Sequence, residues 1–411
     1  MSSVNLASGF RCLPSCTCAF YRQSRKERFH QDKVTFIGAQ KGVKDLDEQG
    51  RLRVLQLCSS SATSGAERHV YALTTNLQRR GHYVKVVTPV SGWLTTILED
   101  ARVPVHNSPM KGTGWWRTMS YMVKEVRRQK IDVVHTHLTR AAYIGHALGI
   151  IARVPIVTSV HIANNDQIYR RLARRGNRLV AVSNFVAGML HGNGVPKQFI
   201  ETVYNGTDFA DISVSSSPAE VKQEFGIPSD RHLIGLVGKV CRDKGQLEMI
   251  HALAALKHEQ PKAHLLLVGL VDEAYRPEIE GAIESHSLRD RVTLTGVRHD
   301  VPRLLDGFTF STLPSYMETF GMAAVEASAR GKAVVASRVG ALPEVVRDGQ
   351  TGLLVDLRPD QIAEAVSFLL SNSNVREEMG RMGRRLVEQK FSLNAMVNRF
   401  EEVYSHAIAK A

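Results

Sequence analysis

The chain has 411 residues, 43% hydrophobic and 23% charged, with five cysteines and a formal net charge of +13. Its length calls for two or three domains, and its composition excludes disorder, collagen and coiled coil as readings of the whole. No stretch reaches the ~18 consecutive apolar residues of a membrane span; the nearest run, Ala141 to Ala152, is shorter and interrupted by polar residues.

Few, scattered cysteines form no disulfide scaffold, and Cys12, Pro14, Cys16 and Cys18 stand where a secretory signal would place its apolar core. A cytoplasmic location is expected. The positive charge is local: residues 51–208 hold 21 Lys and Arg against 8 Asp and Glu, while residues 209–411 hold 24 against 27. Bases cluster at Arg117, Lys124, Arg127, Arg128 and Lys130, and again at Arg170, Arg171, Arg174, Arg175 and Arg178. A solvated helix face and a surface for an anionic partner both fit such clusters, with an anionic membrane surface the preferred partner. Nucleic acid is disfavoured, because the clusters lack interleaved aromatics and no binding motif accompanies them.

In chain order, residues 1–50 show no sustained apolar period and read as an N-terminal extension, disordered by expectation. No second Cys/His pair at zinc spacing accompanies its three cysteines, and Asp45-Leu46-Asp47 has the spelling of a metal site without a patterned segment around it. From Arg51 onward, short β-branched runs alternate with segments of helical period. Strands are predicted at Val54–Cys58, Tyr83–Thr88, Asp132–His135, Ile156–Val160, Leu179–Val182 and Thr202–Tyr204, with helices such as Ala66–Arg80 and Trp116–Lys130 between them. A polar stretch from Asp211 through Ser213 and Ser215 to Pro218 reads as a linker. A second alternating series follows: His232–Val237, His264–Val268, Val292–Leu294, Thr309–Leu313, Ala333–Ala336 and Leu353–Val355. Two tandem doubly wound α/β domains are expected, 51–208 and 209–391, with the active site in the cleft between them.

Three loops carry chemistry. Ser59 to Glu67 is a small-residue loop running into a helix, where backbone N–H groups can meet a phosphate or sugar oxygen, and Gly65 permits close approach. It lacks the Gly-x-Gly-x-x-Gly of nicotinamide enzymes. Gly238-Lys239-Val240-Cys241-Arg242-Asp243-Lys244-Gly245 places two cations at a helix start, which suits a diphosphate, yet it is no triphosphatase P-loop. Pro314 to Ala327 runs from a strand end through Glu318, Phe320 and Gly321 into an apolar helix holding Glu326, with seven residues between it and Glu318. Capping and a surface ion pair would account for the two glutamates as well as two grips on one elongated ligand.

These loops resemble the signature of retaining glycosyltransferase family 4, with its two Rossmann-like domains (the GT-B architecture). The Glu-x7-Glu pattern is met by Glu318 and Glu326, and the basic loop by Lys239 and Lys244. Gly65-Ala66-Glu67-Arg68-His69, Asp132 to His137, Val160-His161, Val180 to Ser183, Asn205-Gly206-Thr207-Asp208, Leu342 to Val346 and Asp348 to Val355 agree in order and spacing over residues 52 to 400. The resemblance implies a nucleotide-diphosphate sugar donor held mainly by the second domain. Glu318 would bind the donor hexose and Glu326 the ribose. Lys239 and Lys244 would neutralise the diphosphate, and amides around Phe320, Gly321, Met322 and Ala323 would hold its oxygens. His161 would reach the hexose from the first domain, although a satisfied histidine at a strand end also fits. His137 reads as near the acceptor or as structural, and Asn205 is grouped with it.

The resemblance also implies hexose transfer to a glycan or lipid-linked acceptor in bacterial-type cell-surface polysaccharide or lipopolysaccharide synthesis, at the inner face of the cytoplasmic membrane. Neither a metal nor another cofactor is expected, and helix 392–411 is expected to pack back on the first domain. The chain departs from the family pattern at Ser64-Gly65, where two glycines are usual, at Lys239, where arginine is commoner, and at Ala341 after Gly340. A sugar-nucleotide epimerase or hydrolase and a non-catalytic sugar-nucleotide binding module are the competing readings.

Overall fold

The computed structural model describes residues 50–162, 164–208 and 216–411. Cys12, Cys16, Cys18, Asp45-Leu46-Asp47 and, in the linker, Asp211, Ser213 and Ser215 lie outside them. The first sheet contains β1 (Arg53–Cys58), β2 (Tyr83–Thr88), β3 (Val105–Asn107), β4 (Val133–His137), β5 (Ile156–Val160), β6 (Arg178–Ala181) and β7 (Ile200–Thr202). All pairs are parallel, in the order β3-β2-β1-β4-β5-β6-β7. The second comprises β8 (His232–Val237), β9 (Ala263–Val268), β10 (Val292–Gly296), β11 (Phe310–Leu313), β12 (Val334–Ser337) and β13 (Gly352–Val355). It too is parallel, in the order β10-β9-β8-β11-β12-β13.

Helices cover both faces of each sheet, and β4, β5, β6, β9 and β12 are accordingly buried along their whole length, their histidines, serines and threonines included. Each sheet reverses its winding where β1 meets β4 and where β8 meets β11, and at such a point the loops leaving adjacent strands diverge and open a crevice. The last helix, Leu393–Ala409, buries Met396, Val397, Phe400, Val403 and Tyr404 against Leu52, Val54, Leu73 and Val157 of the first sheet's layer. Arg80 and His82 each meet Glu401 at 2.8 Å. Among the described residues no helix is long and apolar enough to cross a membrane.

Two sequence expectations need correction. The strand expected at Asp132–His135 runs to His137, so both histidines of that motif lie in the sheet. Arg178, read with the second basic cluster, is buried at the start of β6, 3.9 Å from Glu201, and belongs to the interior.

Candidate active site

Both crevices face one interdomain cleft. From the first domain, Gly65 opens the helix after β1 (Gly65–Arg79), His137 ends β4, and His161 follows β5. From the second, Lys244 comes from the loop after β8 and Glu318 from the loop after β11. A cavity of about 360 Å³ is lined by Gly65, His161, Asn205, Lys244, Glu318 and the run Thr319 to Ala323. An adjoining cavity of about 310 Å³ shares Gly65, Asn205 and Met322, and adds Arg68, His69 and Glu326.

The local backbone explains why Lys244 and Glu318 meet. Gly245 sits at φ +68°, and a Cβ there would lie 1.7 Å from the Pro314 carbonyl oxygen. Only glycine lets the loop after β8 press onto the loop after β11. Lys244 Nζ then donates to Glu318 Oε1 at 2.5 Å, and Ser315 Oγ donates to the same oxygen at 3.1 Å. Gly321, at φ +94°, caps the helix Met322–Ala329, whose first amides have no acceptor within the helix and line the cavity at Met322 and Ala323. Cation, carboxylate and helix N-terminus therefore converge on one cavity.

Lys239 departs from this arrangement. Its Nζ donates to Asp272 at 2.9 Å, the side chain is 50% exposed, and it lines neither cavity, so Lys244 alone of the two loop lysines faces the cleft. Glu326 lies in the second cavity, where burial raises its carboxyl pKa and Arg68 partly offsets the rise.

Histidines form the first domain's contribution. His137 Nε2 lies 3.1 Å from Gln56 Oε1, and His137 Nδ1 lies 3.2 Å from His161 Nε2. His135 is satisfied by Tyr404 and Ser159, which ties the last helix to the sheet. Burial, then the neighbouring histidines, hold His135, His137 and His161 well below the ordinary imidazole pKa, and burial brings His69 to about 4. These rings are neutral at pH 7, so none supplies a cation to a phosphate. His69, His137 and His161 each bring one ring nitrogen within 4.8 Å of the others, a spacing from which a metal could be gathered.

Contacts between the domains are also specific. Thr319 Oγ1 donates to the His161 carbonyl at 2.9 Å, and Ser183 Oγ donates to the Thr319 carbonyl at 2.7 Å. The Glu344 carboxylate accepts from the N–H groups of Asn184 (2.9 Å) and Phe185 (2.8 Å), at the start of helix Asn184–Gly192, and from Tyr204 Oη (2.9 Å). Sequence reasoning missed Gln56, Ser183, Thr319 and the role of Glu344. Gln56 left a signal as a polar residue in the middle of an apolar strand, and the other three lie within motifs quoted above whose interdomain bonds the sequence does not disclose.

Comparison with known proteins places this geometry. Residues 218–386 match the family "Glycosyl transferases group 1", and residues 63–211 match "Glycosyltransferase Family 4". The N-acetyl-alpha-D-glucosaminyl L-malate synthase of Bacillus anthracis is 27% identical over 299 residues, 69% of this chain and 77% of that protein. The D-inositol 3-phosphate glycosyltransferase of Corynebacterium glutamicum is 27% identical over 402 residues, 86% of this chain and 94% of that protein. In fold, the chain is similar to Anabaena HepE, solved in complex with UDP and glucose, with a TM-score of 0.77, 22% identity and coverage of 86% and 99%. A glycosyltransferase from Rickettsia africae gives a TM-score of 0.80 at 20% identity, covering 88% of this chain and all of that one.

Proposed function

This chain belongs to the group 1, family 4 glycosyltransferases, and from that premise we propose that it moves a hexose from a nucleoside-diphosphate sugar to a hydroxyl of a glycan or lipid-linked acceptor, with retention at the anomeric carbon. The observation that carries the reading is the Lys244–Glu318 pair beneath an open helix N-terminus, facing His161 and Gly65 across the cleft. Anabaena HepE, which shares the fold, is described with UDP and glucose, and this supports a nucleotide-sugar donor.

Lys244 and the amides from Phe320 to Ala323 meet the diphosphate, where negative charge grows as the C1–O bond breaks. Glu318 accepts hydrogen bonds from hexose hydroxyls, Glu326 from the ribose, and His161 meets the hexose from the first domain. Gly65 lets its loop approach the phosphates, and Asn205, which lines both cavities, serves the acceptor side. Glu318 is engaged by Lys244 and Ser315, which favours a front-face route over a covalent glycosyl-enzyme. The acceptor oxygen forms its bond to C1 on the face the leaving group vacates, and its proton passes to the departing β-phosphate oxygen.

We assign metal no part in transfer, because Lys244 and the helix amides supply the charge at the diphosphate, and a metal on His69, His137 and His161 would withdraw His161 from the hexose. Turnover is expected to survive EDTA; loss that magnesium or manganese restores would refute this. The exposed bases of helix Trp115–Arg128, together with Trp116, suit peripheral docking on an anionic cytoplasmic membrane face, as a cell-surface acceptor would require. Indifference of liposome flotation to lipid charge and salt would refute docking. Relatives named for malate and inositol 3-phosphate chemistry favour a second reading of the acceptor, a small anionic molecule drawn by the same basic domain. Product analysis with a panel of nucleotide sugars and both acceptor classes decides between them, and free sugar or epimerised donor without glycoside would point to a hydrolase or epimerase.

A further inference from the structure

We propose that Gln56 and His137 are positioning residues that fix the tautomer of His161, so that His161 meets its ligand through an unprotonated Nδ1, as a hydrogen-bond acceptor. The inference deepens the role given to His161 above and rests on that reading.

Gln56 stands in the middle of β1, fully buried, with Oε1 3.1 Å from His137 Nε2. With the amide turned this way its oxygen faces the ring and only accepts, so His137 Nε2 carries the proton, whereas the reversed amide would put it on His137 Nδ1 and on His161 Nδ1, the outcome that the spectra below would reveal. In a neutral imidazole the other nitrogen then carries a lone pair, so His137 Nδ1 accepts. Its neighbour at 3.2 Å is His161 Nε2, which must therefore be the N–H partner. His161 has one proton to place, and Nδ1 is left bare. Among the described residues no hydrogen bond engages that nitrogen, and His161 lines the cleft beside Glu318 and Lys244.

The chain of bonds runs across the first sheet, from β1 through the end of β4 to the residue after β5, so strands that pair directly hold the rings in register. Burial makes a second proton on His137 costly, which keeps the relay in its single-proton form. A hexose hydroxyl meeting His161 would thus donate to it. Paired with Glu318, also an acceptor, this gives the site acceptors on both sides of the sugar and leaves the donors, Lys244 and the amides, for the phosphates. Gln56 and His137 touch no substrate; they act through His161.

Histidine side-chain ¹⁵N spectra of the full-length wild-type protein test this directly. Expected are protonated Nε2 and unprotonated Nδ1 in both His137 and His161, whereas a proton on His161 Nδ1 would overturn the proposal. Gln56→Met keeps volume and removes the acceptor; kcat is expected to fall roughly ten- to a hundredfold, as where an outer partner orients a functional imidazole, with donor KM moving less than about threefold. Gln56→Glu, which restores an acceptor oxygen, is expected to recover most of kcat. A Gln56→Met kcat within twofold of wild type, alongside an impaired His161→Ala, would overturn the relay while sparing the role of His161. Full activity in His161→Ala would instead remove that role, whatever the spectra show. Were Gln56→Met to fail to fold, the wild-type spectra still decide.

Discussion

Glu344 spans the two domains, and its removal has a calculable consequence. Its carboxylate accepts three hydrogen bonds from the first domain, two from backbone N–H groups at a helix start and one from Tyr204. At about 1 kcal/mol net per bond the three sum to about 3 kcal/mol, and partial solvent exposure reduces this to roughly 2 kcal/mol. Glu344→Ala should then shift the balance between engaged and disengaged domains by roughly thirtyfold. Because His161 and Glu318 face each other only when the domains engage, donor kcat/KM should follow the engaged fraction and, with the two states near balance in the wild type, fall about fifteenfold, with far-UV circular dichroism unchanged. Tyr204→Phe removes one bond of the three, about 0.7 kcal/mol on the same discount, and should shift that balance about threefold. Steady-state kinetics on both variants provide the check, and a Glu344→Ala kcat/KM within twofold of wild type would refute the reasoning.

Gly245→Ala should be severely destabilising and should abolish transfer, because a Cβ cannot share space with the Pro314 carbonyl and φ is +68°; thermal melting and activity read both effects. The raised carboxyl pKa of Glu326 makes the folded state bind a proton that the unfolded state has released. Stability should therefore fall as pH rises from the ordinary value of 4.5 through the folded pKa, and level off above it. Glu326→Gln should abolish that slope and raise the melting temperature at neutral pH, while weakening donor binding about tenfold by calorimetry, roughly one charge-assisted hydrogen bond.

Much of the fold was legible because buried parallel strands are rich in apolar and β-branched residues, and twelve of the thirteen strands among the described residues overlap an expected one, β7 only at Thr202. The exception, β3, has three residues, of which only Val105 is apolar, and no periodicity can reveal so short an edge. The site was legible where a loop leaves a strand end with unusual residues, as at Lys244, Glu318 and Gly321. It failed where tertiary placement decides. Lys239 and Lys244 look equivalent in sequence, yet Asp272, a residue from a different loop, holds Lys239 away from the cleft. The strand expected at Asp132–His135 stops short of His137 because Thr136 and His137 are polar, although the sheet continues through both. Ser183, Thr319 and Glu344 lie in segments that the family resemblance marks, but their bonds to the other domain form only when folding brings the two domains together, and the sequence does not disclose them.

The central claim is that one cation at the second winding reversal, Lys244, stabilises the departing diphosphate. Lys244→Met and Lys239→Met, compared for kcat/KM at equal melting temperature, test it most directly. A loss of about a hundredfold or more is expected for Lys244→Met and less than about fivefold for Lys239→Met. Equal losses in the two variants, or a Lys244→Met enzyme within a few-fold of wild type, would contradict it.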